Sequence, residues 1–308
     1  MPSTGYILQQ VSNALVVGSF YSLLAVSYAL VHGLTNRIIL SFGEMAMFGA
    51  FCAVYAIIIG QSSNLVTAAV LAIAVIATAM VSAGVGFATY RIVFAPLMAA
   101  RSQILLIASI SLGIVVQEIM RLQSNGREQW LEPIWNAPLH MQEASGFVVQ
   151  VSVIQAVVVG GAAVLLAAIL LLLRRSQLGR MWRACSQDGG LTALIGIDVR
   201  QVAAVTFVLA SIYAGAAGLI VAVYYGGVSF YMGIMLGLKA LFASIIGGFG
   251  TVGGAIVGAF ILAGLETVWS AFFPLDYRDA AVFLIILLLL VLRPEGLLGV
   301  RLRTDHER

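Results

Sequence analysis

The sequence predicts an all-α, polytopic integral membrane protein of about nine transmembrane helices, within a range of eight to ten, and no soluble domain. Composition is the first reason. Of 308 residues, 61% are hydrophobic and 9% charged, against roughly 45–50% and about 25% in soluble domains. A soluble fold of this size cannot hide so much apolar surface, so lipid must solvate the surplus. Pattern is the second. Unbroken apolar runs such as Ala280 to Leu292 suit helices, whereas barrel strands would alternate over about ten residues. The distribution of arginine is the third, and it also sets the orientation.

With about 20 residues per span, the candidates are 8–32, 38–59, 64–88, 103–120, 151–173, 201–225, 232–248, 253–273 and 279–293. The first has no Lys or Arg before Arg37, and its apolar run exceeds the 7–15 residues typical of a signal peptide, so it is kept as a span. Loops of one parity then hold twelve arginines, and those of the other only Arg121, Arg127 and Arg278. By the positive-inside rule the C-terminus is cytoplasmic and the N-terminus lies on the far side. Residues 1–308 read as one transmembrane domain with two long loops. The external loop, 121–150, carries Trp130, Pro133, Trp135 and Pro138, and the cytoplasmic loop, 174–200, is the most basic stretch. An internal repeat is hinted at by Ser19-Phe20-Tyr21 and Ser211-Ile212-Tyr213.

No enzyme constellation is visible. His32, His140 and His306 fall in different segments, so no HExxH-like metal pair exists. Cys52 and Cys185 imply no disulfide framework. Gly248-Phe249-Gly250-Thr251-Val252-Gly253 fits the dinucleotide fingerprint, but that motif needs a βαβ unit, and here both flanks are spans. Helix packing is the better reading: Gly250, Gly254 and Gly258 recur every four residues and would let a neighbouring backbone approach. A P-loop needs lysine followed by Ser or Thr. The one lysine, Lys239, precedes Ala240, so no ATP or Mg²⁺ site is expected on this chain.

Charges inside spans are the main positive signal. Glu44, Lys239 and Glu266 would each cost ~2.5–3.5 kcal/mol or more near a span centre, and such residues normally face a polar path or a partner. Glu44 could instead pair with Arg37 near the interface, and Lys239 could extend its stem to reach water. In the cytoplasmic loop, Asp188 is placed to cap a short helix that Gly196 ends, with Leu191, Leu194 and Ile195 between. That helix could dock in a groove on another protein or lie on lipid.

Several ordered motifs resemble the permeases of branched-chain amino acid ABC importers, in particular the shorter, H-type subunit. They are Gly18-Ser19-Phe20-Tyr21-Ser22-Leu23, the loop from Arg183-Ala184-Cys185 to Gly196-Ile197, Gly237-Leu238-Lys239-Ala240, Gly247 to Ala255, and Arg293-Pro294-Glu295-Gly296-Leu297-Leu298-Gly299. The resemblance implies a bacterial inner-membrane pore made with a second permease. Two ATPases would bind beneath it, holding the ATP and Mg²⁺, and a periplasmic substrate-binding protein would bind above. It further implies that Arg183, Ala184, Asp188, Ala193, Gly196 and Ile197 belong to the segment that seats in an ATPase. No nucleic acid is implied. One stretch departs from the family: Ile39 and Phe42 stand where the family has Asn and His, while Gly43 and Glu44 are kept. Urea and short-chain amide permeases share the architecture. An ion-coupled secondary transporter using Glu44 and Lys239 is the alternative of a different class.

Overall fold

The computed structural model describes residues 4–63, 66–98, 100–132, 138–144, 147–293 and 296–297. Pro133, Trp135, His306 and the arginines at 301, 303 and 308 fall outside them. The chain forms α1 (Thr4–Thr35), α2 (Phe42–Ser62), α3 (Thr67–Thr89), α4 (Ala95–Leu97), α5 (Ser102–Gln123), α6 (Val153–Arg175), α7 (Gln177–Gln187), α8 (Gly189–Leu194), α9 (Val199–Tyr225), α10 (Met232–Gly248), α11 (Val252–Phe272) and α12 (Arg278–Leu292). A π-turn, Tyr90–Phe94, joins α3 to α4. It lies just before Pro96, whose missing N–H breaks the regular ladder.

Among the described residues, seven helices are long and apolar enough to cross a membrane. The expected count of about nine is therefore reached only by adding α10 and α12. These have 17 and 15 residues, or about 25 and 22 Å at 1.5 Å per residue, short of a ~30 Å hydrocarbon core. The external loop adds a little strand: β1 (Gln129–Trp130) pairs antiparallel with β4 (Gly227–Val228), and β2 (Pro138–Ala144) with β3 (Phe147–Ser152).

The core is α1, α2 and α9, while α3, α5 and α6 are mostly exposed, as lipid-facing helices would be. A central helix can carry hydroxyls if each is satisfied within it. Ser19, Ser22 and Ser27 donate to the carbonyls of Leu15, Ser19 and Leu23. Phe20, Leu23, Leu24 and Leu30 fill the space between, all buried.

The arginine-rich segments meet at one end of the bundle. Trp182 of α7 donates to Leu30 O on α1 at 3.1 Å, and Tyr90 donates to Arg200 O at 2.9 Å. The α10–α11 turn lies there too, since a Cβ on Gly250 would sit 3.6 Å from Gly33 Cα. The β1–β4 pair marks the opposite end, where α9 finishes.

α1 and α9 therefore run in opposite directions, and each leads through a six-residue non-helical break into a shorter helix. The breaks are 36–41 and 226–231, and each contains Ser-Phe or runs into it: Ser41-Phe42 and Ser229-Phe230. Asn36 (φ +49°) and Gly226 (φ +69°) turn the chain out of the preceding helix, a left-handed conformation that Gly adopts freely and Asn tolerates. Long helix, break and short helix, repeated with inverted direction, is a transporter pattern.

Candidate substrate path and coupling surface

The two breaks bring the first turns of α2 and α10 together inside the bundle. Phe42 packs on Phe207, with ring centroids 6.2 Å apart. Phe207 lies eight residues into α9, so α2 begins about 12 Å along it. The break at 36–41 is pinned by Tyr28, which donates to Leu40 O at 3.3 Å, and by Ser109 Oγ, which accepts from Leu40 N at 3.1 Å. A Cβ on Gly43 would collide with Gly233 O and Gly237 Cα. Glycine alone permits this backbone-to-backbone approach. Neither N-cap residue, Ser41 or Tyr231, caps its helix through a side chain.

Glu44 sits at this junction, in the first turn of α2, and is 6% exposed. Its carboxylate lies over Gly233, where a Cβ would strike it, and Gly113 of α5 clears its Cγ. Oε2 is buried without a hydrogen-bond partner among the described residues. No ion pair to Arg37 forms there; the described ion pairs lie elsewhere. Arg37 Nη1 and His32 Nδ1 are likewise buried without hydrogen-bond partners.

Lys239 and Glu266 are brought together instead. Lys239 Nζ is 2.7 Å from Glu266 Oε1 and 2.9 Å from Asp279 Oδ1. Tyr21 donates to Glu266 Oε2 at 3.0 Å, and Arg278 Nε is 3.3 Å from Asp279. Lys239 and Glu266 are each 6% exposed. The cluster ties α1, α10, α11 and the start of α12, and it turns three costly charges into mutual partners. Sequence reading did not name Asp279 or Tyr21 as partners. Tyr21 lies in the Gly18–Leu23 motif, but nothing local shows that it reaches α11.

The basic loop folds as two short helices. Ser176 Oγ caps α7 by accepting from Gly179 N at 3.0 Å. Asp188 Oδ1 caps α8, accepting from Gly190 N at 2.8 Å and Leu191 N at 3.0 Å, and Gly196 (φ +86°) follows its end. Ala184 O accepts from Asp188 N, Ala193 O from Gly196 N, and Ile197 N donates to Thr192 O. Arg183 Nη1 donates to Leu173 O, holding α7 on α6. Trp182 and Cys185 are buried against the bundle, and burial pushes the Cys185 thiol above its ordinary range. Leu191, Leu194 and Ile195 stand 63%, 83% and 73% exposed.

The glycine series divides. Gly254 and Gly258 face α10, where added Cβ atoms would collide with Gly247 O and Ala243 O. Gly250 is not on that face. It precedes α11 with φ +89°, so its part is to turn the chain. A concavity of about 420 Å³ between α3, α6 and α9 is lined by apolar residues and Thr78, with no ionisable group.

A helical bundle with inverted broken helices, a buried unpaired carboxylate at their junction and an exposed apolar helix on its basic end is built as a membrane transport subunit. The chain belongs to the branched-chain amino acid transport system permease component family, whose model matches residues 10–292. It is similar to the high-affinity branched-chain amino acid transport system permease protein LivH of Escherichia coli (strain K12), 31% identical over 295 residues and 96% of each chain. LivH of Salmonella typhimurium is 30% identical over 295 residues, again 96% of each. BraD of Pseudomonas aeruginosa is 30% identical over 300 residues, 97% of this chain and 98% of its own. The protein is thus a multi-pass membrane permease of the ABC-importer class rather than an enzyme, and that class works with ATP-binding partner subunits.

Proposed function

We propose that this chain forms one half of the pore of an ATP-driven importer for branched-chain amino acids in the bacterial inner membrane. The other half is a second, paralogous permease. Two ATPases, which hold the ATP and Mg²⁺, bind beneath, and a periplasmic protein delivers substrate from above against the external loop near Trp130. The C-terminus and loop 174–200 lie in the cytoplasm, and the N-terminus in the periplasm. The observation that carries the reading is Glu44, buried where two broken helices meet, with an Oε2 that has no hydrogen-bond partner among the described residues. In this reading Glu44 lines the path, and Lys239 with Glu266 borders it, bracing α10 against α11.

The exposed Leu191, Leu194 and Ile195 seat in an ATPase groove, so α7 and α8 move when ATP closes the partner subunits. Trp182 passes that motion inward, because its ring lies against Gly33 and its indole N–H holds Leu30 O. Gly33 also faces Gly250, at the α10–α11 turn. Both broken helices are thereby connected to the coupling surface, and nucleotide shifts the pore between two states.

The test is uptake of labelled leucine by the complete complex in vesicles loaded with ATP. Glu44→Gln should lower uptake without lowering the amount in the membrane. Concentrative uptake by this chain alone, without ATP, would instead establish an ion-coupled transporter.

A further inference from the structure

Resting on the reading of Glu44 as a path residue, we infer that the α2–α10 junction is a subsite for the zwitterionic head group of an α-amino acid. The substrate's ammonium would pair with the Glu44 carboxylate, and its carboxylate would bind the first-turn amides of α2 and α10.

Three independent features converge on this assignment. First, two helices of 21 and 17 residues start at one place, with Gly43 against Gly233 and Gly237. The first amides of a helix have no intrahelical acceptor and carry the positive end of the dipole, so they bind carboxylates well. Second, neither N-cap side chain, Ser41 nor Tyr231, bonds its own helix start. Met232 N donates to Ser229 O at 3.2 Å and the Gly43 amide faces the Tyr28 hydroxyl, so the subsite is assigned to the remaining first-turn amides. Third, Glu44 reaches across from α2 onto Gly233 of α10, and its buried Oε2 has no hydrogen-bond partner.

A carboxylate accepts hydrogen bonds and cannot donate them, so its complement is an N–H-rich cation. Lys239 and Arg278 are engaged by Glu266 and Asp279. Among the described residues Arg37, whose Nη1 is buried without a hydrogen-bond partner, makes no ion pair with Glu44. The site therefore offers one negative group and two sets of amides, which matches one ammonium beside one carboxylate. A purely anionic ligand would be repelled by Glu44, and a neutral one would leave its charge unmatched. Tyr28, whose hydroxyl lies near Gly237 and holds Leu40 O, positions the α2 start.

The experiment uses the full complex in lipid nanodiscs without its periplasmic protein, and calorimetric titration with three probes. They are L-leucine, its deaminated analogue 4-methylpentanoate and its decarboxylated analogue 3-methylbutylamine. Wild type should bind L-leucine at least ten-fold more tightly than either analogue. Glu44→Gln should weaken L-leucine at least ten-fold while leaving 4-methylpentanoate unchanged or tighter, and Glu44→Asp should recover part of the loss. Unchanged L-leucine affinity in Glu44→Gln overturns the inference, as does equal weakening of all three probes, which would mark a structural defect. Leucine import by wild-type vesicles is measured in parallel. Import with unchanged binding in Glu44→Gln sinks the subsite and leaves the pore standing, whereas absence of import sinks the functional reading itself.

Discussion

Replacing Lys239 by methionine tests the buried charge cluster most directly. The substitution keeps the length of the stem and removes the ammonium that stands 2.7 Å from Glu266 and 2.9 Å from Asp279. Asp279 is 43% exposed in its side chain and keeps Arg278 at 3.3 Å, so it loses little. Glu266, at 6% exposure, is left with Tyr21 as its one close donor. Breaking a buried pair from one side costs about 3–5 kcal/mol, and the remaining Tyr21 bond places this case near the lower figure. Glu266→Gln removes the charge from the other side but keeps an oxygen for Tyr21. In the double variant neither charge is stranded, so the two costs should fall short of additive by about 2–3 kcal/mol, the upper range for contacting residues. Unfolding by dodecyl sulfate in mixed micelles, read by tryptophan fluorescence, gives all four corners of the cycle. Additive costs, or a Lys239→Met cost under about 1 kcal/mol, would refute the brace.

Other expectations follow from single contacts. Gly218→Val should reduce folded protein sharply, because even a Cβ at that site collides with Ala46 O of α2, whereas Gly264→Ala, with open space around it, should be silent; yield and thermal midpoint in detergent compare them. Leu194→Glu, at an 83% exposed position, should leave the permease folded and abolish co-purification of the ATPases; retained ATPase would move the docking surface elsewhere. Trp182→Phe keeps the ring but loses the bond to Leu30 O, a change worth roughly 0.5–1.5 kcal/mol, and should lower leucine moved per ATP hydrolysed. Cys185 has its thiol raised by burial, so in a Cys52→Ala background it should resist maleimide at neutral pH until the protein is unfolded. The same shift means the folded state holds that proton longer, so stability from this group is complete below the unfolded thiol's ordinary value of about 8.5 and declines as pH rises past it.

Much of this architecture is legible from apolar runs and arginine parity because both are local sums over many residues. The caps of the basic loop are legible for a similar reason, since Asp188 and Gly196 act within one helical turn. The start of α2 is not. Ile38-Ile39-Leu40 reads as the beginning of a span, yet those residues are non-helical, held by Tyr28 and by Ser109, 69 positions away from Leu40 in sequence. The bounds of α10 are legible by contrast, since the candidate span 232–248 coincides with the helix Met232–Gly248. Gly250 misled by spacing. A four-residue period matched a helix face, but α11 begins only at Val252. Lys239 and Glu266 each stand out singly in the sequence, and only the packing of α10 on α11 makes them a pair.

The contrast between the two charged clusters bears on mechanism. Both place acids where a lone charge costs ~2.5–3.5 kcal/mol. At Lys239 that cost is met permanently by fixed partners, and such a site has nothing left to offer a passing solute. At Glu44 it is met only partly. A favourable helix terminus contributes about 0.3–1 kcal/mol, up to ~2 when partly buried, so the starts of α2 and α10 together offset most of the penalty but supply no direct partner for Oε2. The residue is thus tolerated without being satisfied. A substrate that completes it gains about 1.5–3 kcal/mol, the net worth of one hydrogen bond to a charged group. That is enough to favour an amino acid over an analogue lacking its ammonium and too little to trap it. A pore site must release its cargo at every cycle, so in the proposed importer tight capture falls to the periplasmic binding protein. If L-leucine instead bound this chain's complex with nanomolar affinity, the division of labour between capture and passage would be wrong, and Glu44 would have to make contacts absent from this conformation.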